Sequence, residues 1–173
     1  MHLKWMSGVG VALLAATAMA QGDGGQAFDK TEKPLKVFGG LFDSTSNLFD
    51  ASSKSGFTFG FGYKAWENQN GIVEFEARGT FFQIRNGGSR DTLAQVGVYT
   101  NFVLKPTRDL FIGFGPGFIT GEVTVDGDRF GSKGAVAFHG FLGYNFKKDV
   151  FGQVRLTSGG DSAGFSVEIG FRF

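Results

Sequence analysis

The chain ends Gly164-Phe-Ser-Val-Glu-Ile-Gly-Phe-Arg-Phe173, and every second residue of that stretch, Phe165, Val167, Ile169, Phe171 and Phe173, is large and apolar. The residues between them, Gly164, Ser166, Glu168, Gly170 and Arg172, are small, polar or charged. A period of two puts alternate side chains on opposite faces of a β-strand, so one face here is hydrocarbon and the other is not. From Leu35 onward the pattern keeps returning, and no window of 11 or more residues carries a helical apolar stripe. Phe57, Phe59, Phe61 and Tyr63 alternate with Thr58, Gly60, Gly62 and Lys64; Val73, Phe75, Ala77 and Phe81 alternate with Glu74, Glu76, Arg78 and Thr80. Val96, Val98, Thr100, Phe102 and Leu104 oppose Gln95, Gly97, Tyr99 and Asn101, and Leu110, Ile112, Phe114 and Phe118 oppose Gly113, Gly115 and Gly117. Val136, Phe138, Leu142 and Tyr144 oppose Ala137, His139, Gly143 and Asn145. Two weaker stretches, Leu35 to Phe42 and Val150 to Thr157, bring the count to eight strands in an all-β, antiparallel, up-and-down arrangement.

Composition narrows the classes. The 173 residues include 29 Gly, 22 Phe and no Cys, which excludes a disulfide framework, a zinc-thiolate site and a Cys nucleophile. All 22 Phe lie beyond residue 20, too much aromatic hydrocarbon for a disordered chain. The whole chain carries 17 Lys and Arg against 16 Asp and Glu, and removing residues 1–20 takes away Lys4 and no acid. The balance that remains argues against a nucleic-acid binder driven by net positive charge.

Residues 1–20, MHLKWMSGVGVALLAATAMA, have a short basic start, an apolar run from Val9 to Ala18, and Ala18-Met19-Ala20 before Gln21. That is the order of a secretory signal peptide, expected to be cleaved after Ala20. The apolar run is about half of the roughly 20 residues a spanning helix needs. Residues 21–34 are polar and Gly-rich without a period and read as a flexible periplasmic leader, leaving residues 35–173 for the barrel.

Strand by strand, the alternation does not say which face is wet, because a soluble barrel or sandwich would show the same pattern. Two features decide for an apolar face turned outward to lipid. An eight-stranded interior is just wide enough for side chains and could not hold so many Phe in full. The other face mixes Gly with balanced charge, which suits a narrow lumen where carboxylates and guanidiniums pair. The expectation is charges in the lumen and Phe toward lipid.

Connection lengths support this. Expected loops at Asp43 to Ser55, Arg85 to Asp91, Asp126 to Lys133 and Ser158 to Ala163 alternate with shorter turns at Ala65 to Asn70, Lys105 to Asp109 and Lys147 to Asp149. Membrane barrels alternate long external loops with short periplasmic turns in this way. An even strand number puts both ends of the barrel on the short-turn side, where Tyr63, Trp66 and Tyr144 would form an aromatic girdle.

Taken together, the export signal, the eight strands and the terminal stretch from Phe165 to Phe173 resemble the small OmpA/OmpX-like outer-membrane β-barrel family. In that family Phe165, Val167, Ile169, Phe171 and Phe173 match the C-terminal assembly signal, which implies that the last strand is read by the outer-membrane insertion machinery. The resemblance also implies outer-membrane lipid and lipopolysaccharide as surroundings and no cofactor. It does not select one activity, since such barrels serve several.

Candidate sites are few. Glu74, Glu76 and Arg78, at i, i+2 and i+4, share one strand face. Paired carboxylates can do acid–base work, but beside Arg155, Glu168 and Arg172 they are expected to form, with His139, a lumenal ion-pair network that plugs the barrel. His139 is the one His beyond the signal peptide and lacks the partners of a catalytic base. Lipid A deacylase barrels pair a His with a Ser two residues on, and Phe141 stands at that position. Asp126-Gly127-Asp128 lacks the further ligands of a calcium loop and reads as a turn. Arg85, Arg90, Arg129 and Lys133 could meet lipopolysaccharide phosphates, but Asp50, Asp91, Asp126 and Asp128 are interspersed, so a mixed solvated surface is preferred. The Gly-rich run Gly113 to Gly117 lacks the Lys-Ser/Thr of a phosphate loop, and Pro116 predicts a bulge or bend. The leading expectation is therefore a non-enzymatic outer-membrane barrel with a plugged polar lumen, acting through its external loops on a partner the sequence leaves unknown. The alternatives are a soluble lipocalin-like barrel with a Phe-lined cavity and a lipid-modifying outer-membrane enzyme.

Overall fold

Leu35 and Phe173 exchange two backbone hydrogen bonds of 3.1 and 2.9 Å, so the first and last strands are zipped together along their length. The computed structural model describes residues 33–44, 55–68, 71–86, 89–125, 128–131, 134–159 and 163–173. The expected signal peptide, nearly all of the leader, the middle of the first loop, Asp126, Gly127 and Lys133 lie outside the described residues.

The elements are β1 (Leu35–Ser44), β2 (Ser55–Glu67), β3 (Ile72–Asn86), β4 (Ser89–Leu104), β5 (Leu110–Val125), β6 (Asp128–Gly131), β7 (Ala135–Lys147), β8 (Val150–Ser158) and β9 (Gly164–Arg172). All pairings are antiparallel, in the order β4-β3-β2-β1-β9-β8-β7-β5, and β4 also pairs with β5. Each of these eight strands has a neighbour on both sides, which closes the barrel and removes the unpaired edges of an open sheet. The short β6 pairs with β5 above β7.

β6 is a correction to the sequence expectation, as is the end of β3. The stretch expected as the loop Arg85 to Asp91 is mostly paired, with Arg85 opposite Arg90 and Asn86 opposite Ser89. The stretch expected as the loop Asp126 to Lys133 holds β6, with Val125 opposite Asp128. Two residues separate each pair of partners, Gly87-Gly88 and Asp126-Gly127, and Gly-Gly and Asp-Gly are the dipeptides that two-residue hairpins prefer. At Pro116 the expected bulge is absent although the ladder is broken there. The β4–β5 ladder lacks its rungs at Thr100 and Asn101, but the register is the same on both sides of the gap, Tyr99 opposite Gly117 and Phe102 opposite Phe114. Lacking an N–H, Pro116 interrupts bonding without inserting a residue. The bulges lie instead at Lys64/Trp66 and Asn145/Lys147, at the short-turn end.

The apolar face points outward. Phe57, Phe59, Phe61, Phe75, Val96, Val98, Phe118, Phe138, Val154, Leu156, Val167 and Ile169 are all exposed on the outside of the ring. The interior is not purely polar, however: Phe38, Phe42, Phe111, Phe141 and Phe151 are buried inside. All five lie across glycines on neighbouring strands, Phe38 over Gly60, Phe42 over Gly164, Phe111 over Gly143, Phe141 over Gly113 and Phe151 over Gly170, where any Cβ would collide with the ring. Glycine opposite each ring is how so narrow a barrel holds them.

Candidate functional site

β3, β4, β7, β8 and β9 each send charged or amide side chains to the barrel axis, because alternate residues on every strand face inward. At the centre Arg155 on β8 donates from Nη2 to Glu76 Oε2 on β3 at 2.8 Å, and both side chains are wholly enclosed. Asn101 Nδ2 donates to the same carboxylate oxygen at 3.1 Å. His139 lies 2.6 Å from Asn101 Oδ1 through Nε2 and 2.6 Å from Arg155 Nη1 through Nδ1. With Nε2–H donating to Asn101 and Nδ1 accepting from Arg155, both ring nitrogens are engaged. The imidazole stacks on Tyr99 with 4.2 Å between centroids, which fixes its plane. Arg155, His139, Asn101 and Glu76 thus close a four-membered hydrogen-bonded circuit.

A second group surrounds Glu168 on β9. It pairs with Arg78, accepts from Ser166, accepts from Gln153 Nε2 at 2.6 Å, and lies 3.7 Å from Arg155 Nε. Arg78 Nε donates to Thr58 Oγ1 at 3.0 Å, and Arg78 Nη1 is 3.8 Å from Glu76, so the two groups are one network. Lys36 on β1 joins it from below, 3.0 Å from Glu74 and 3.5 Å from Glu76. Buried charges are costly unless paired and hydrogen-bonded, and here three cations face three carboxylates.

The interior rings are part of the site. The Arg155 guanidinium lies 4.6 Å from the Phe141 centroid, Arg78 lies 5.4 Å from Phe38, and Arg172 lies 4.6 Å from Phe151 and 5.2 Å from Phe111. Desolvated cation–π contacts of this kind are worth about 2 kcal/mol or more, and the rings also fill the space that water would need. A small cavity of about 10 Å³, lined by Phe42, Arg78, Thr80, Gln95, Gly97, Tyr99, Ile119 and Thr157, lies on the other side of Arg78.

Of the residues picked out in the sequence, the structure brings together Glu74, Glu76, Arg78, His139, Arg155 and Glu168. Arg172 stands apart: its Nη1 donates to Asn145 Oδ1 at 2.6 Å, and its guanidinium covers Phe151. Sequence reasoning missed Lys36, Asn101, Gln153, Ser166 and Thr58. Lys36 was hidden because β1 is apolar on both faces, Val37 and Leu41 outside and Phe38 and Phe42 inside, so its alternation gives no face. Asn101 and Gln153 carry no charge to draw attention. Among the described residues no group of His, Asp or Glu is arranged to hold a metal.

Tyr63, Trp66 and Tyr144 are exposed at the short-turn end, joined by Phe146. Phe165, Val167, Ile169, Phe171 and Phe173 are exposed along the outer face of β9.

No protein-family model and no curated protein matches the chain. Solved structures do. Ail, the attachment invasion locus protein of Yersinia pestis, aligns with a TM-score of 0.56 and 15% identity over 82% of this chain and 99% of that one. Ail in complex with the heparin analogue sucrose octasulfate aligns with a TM-score of 0.56 at 13% identity, over 82% of this chain and 97% of Ail. Neisserial surface protein A aligns with a TM-score of 0.57 and 14% identity over 80% of this chain and 94% of that one. At such identities the likeness is one of fold, and the fold is that of the small eight-stranded outer-membrane β-barrels.

Proposed function

We propose that this chain is a non-enzymatic outer-membrane barrel, exported by a signal peptide cleaved after Ala20, with a plugged lumen and an external surface that meets a partner. The observation that carries the reading is the inversion of the usual protein pattern: a continuous belt of large apolar side chains outside and a charged network inside. Water-soluble monomers rarely expose apolar patches beyond a few hundred Å², whereas lipid would cover such a belt. A soluble barrel with a Phe-lined cavity needs the opposite orientation. The plug reading is supported by Arg155, Asn101 and Phe151, each 0% exposed at the barrel axis.

The test is a gel of detergent-extracted envelope run with and without boiling. A faster-migrating unboiled band from the outer-membrane fraction is expected, because closed barrels keep their shape in cold detergent. Recovery in the soluble periplasmic extract would overturn the reading.

The external surface is proposed to be built on the extension of β3 to β6. Among the described residues, Gln83 to Asn86 of β3 pair with β4 alone, past the start of β2, and β6 pairs with β5 alone. Arg85 and Arg90 are register partners near the tip, and Arg129 lies on β6. Although Asp91 and Asp128 are interspersed with them, these three arginines are the cations that a sulfated ligand, such as the heparin analogue bound to Ail, would meet. Calorimetric titration of the detergent-solubilised chain with sucrose octasulfate, and of an Arg85→Gln/Arg90→Gln/Arg129→Gln variant, tests this; equal heats from both would remove the polyanion reading and leave the barrel reading standing.

A further inference from the structure

The basic residues at the short-turn end are not equivalent. Lys36 is held by Glu74 at 3.0 Å, Lys64 and Lys105 both reach Glu67 at 2.5 and 2.9 Å, and Lys33 takes Asp149 at 2.8 Å. Arg172 is spent on Asn145 and the Phe151 ring. Lys147 and Lys148 remain. Both are exposed, and among the described residues neither side chain has an ion pair or a hydrogen bond. The nearest carboxylate in sequence, Asp149, is already paired with Lys33, so among the described residues no carboxylate is paired with either lysine of the tight connection between β7 and β8.

Immediately before them on β7, Tyr144 and Phe146 pack edge to face with centroids 5.7 Å apart and stand out from the outer wall, 49% and 62% exposed. Aromatic side chains at a membrane surface mark the level of the head groups. At about 3.4 Å per residue along a strand, Lys147 and Lys148 lie roughly 10–14 Å beyond Tyr144 along the chain. Each head-group layer is roughly 5–8 Å deep, and lysine stems are long enough to lean back into it.

We propose that Lys147 and Lys148, with Tyr144 and Phe146, form a site for the head group of an anionic phospholipid. The rings lie against the upper acyl chains and glycerol region while the two ammonium groups meet the phosphate and its additional negative charge. A zwitterionic lipid offers the same phosphate but cancels it with its own cation, so the site discriminates by net charge. Two juxtamembrane lysines give a preference of about thirtyfold. The inference rests on the membrane reading above.

The test uses the full chain in nanodiscs of phosphatidylcholine alone and of phosphatidylcholine mixed with phosphatidylglycerol, read by backbone amide shifts and by the lipids retained in native mass spectrometry. The expected result is that phosphatidylglycerol shifts the amides of Tyr144 to Asp149 selectively and is retained about thirtyfold over phosphatidylcholine. A Lys147→Gln/Lys148→Gln variant should lose both effects, and Arg108→Gln, on the β4–β5 turn, should keep them. Equal shifts at all three short turns, no shift at any, or an unchanged preference in the double variant would overturn the site while leaving the membrane reading intact. Failure of the wild-type chain to enter either bilayer would overturn both.

Discussion

Arg155 Nη2 and Glu76 Oε2 meet at 2.8 Å across the barrel axis, 79 residues apart in the chain and both fully enclosed. Removing one partner leaves the other in a dry interior with only longer charge contacts, Lys36 at 3.5 Å for Glu76 and Glu168 at 3.7 Å for Arg155, which costs up to about 3–5 kcal/mol. Glu76→Leu and Arg155→Met should each lower stability by that order in reversible urea unfolding from micelles. The double variant should lose much less than the sum of the two, because no lone charge is left. Additive losses would mean that the two groups do not depend on each other.

Conductance addresses the plug. Glu74→Ala with Glu76→Ala removes both carboxylates that hold Lys36 and one that holds Arg155. The wild-type chain should be closed in planar bilayers and the double variant should pass measurable current. An unchanged trace would show that these carboxylates do not close the lumen.

Gly115 is a point where two strands approach each other. A Cβ there would overlap the backbone carbonyl of Thr100, which cannot swing away as a side chain can. Gly115→Ala is expected to cost at least about 1–3 kcal/mol, and to lower the fraction that migrates as folded barrel in cold detergent. Gly140→Ala makes the comparison, since its Cβ would meet nothing closer than 3.8 Å.

The outer belt gives a directional prediction. Val167, mid-way along β9 and 53% exposed, should face hydrocarbon. Val167→Arg is expected to destabilise the bilayer-embedded protein by about 2–4 kcal/mol, as arginine does near a bilayer midplane. A neutral effect would place that face in water.

Glu67 links the β2–β3 turn to the start of the β4–β5 turn through Lys64 and Lys105. These groups sit at the barrel rim but are largely enclosed, with the Glu67 side chain 8% exposed. Glu67→Gln should cost about 1–3 kcal/mol, less than the loss of the fully enclosed Glu76, and part of the difference should shrink in high salt. A loss as large as that of Glu76→Leu would mean that the rim is far less hydrated than its position indicates.

How much of this was legible beforehand varies from strand to strand, and the reason is physical. β9 and β3 were readable because one face is hydrocarbon and the other is charged, so period two shows both the strand and its sides. β1 is readable as a strand but not in its sides, since Phe38 and Phe42 point in while Val37 and Leu41 point out, and Lys36 just before them carries no signal. The tip of the β3–β4 hairpin, from Arg85 to Asp91, and the short β6 read as loops because polar residues there break the alternation, although Gly87-Gly88 and Asp126-Gly127 are themselves hairpin signals.

The sequence by itself determined the strands, their two unlike faces and the need for a fold that keeps those faces apart, because side-chain alternation is a local property of an extended backbone. Only the tertiary structure decided partners. Closing the barrel sets the stagger between strands, and the stagger puts Asn101 between Glu76 and His139, gives Glu74 to Lys36 rather than to Arg172, and seats each interior phenyl ring over a glycine. Those relationships join residues that no local pattern connects, since which inward side chains meet across the axis depends on closure and not on the order of residues along any one strand.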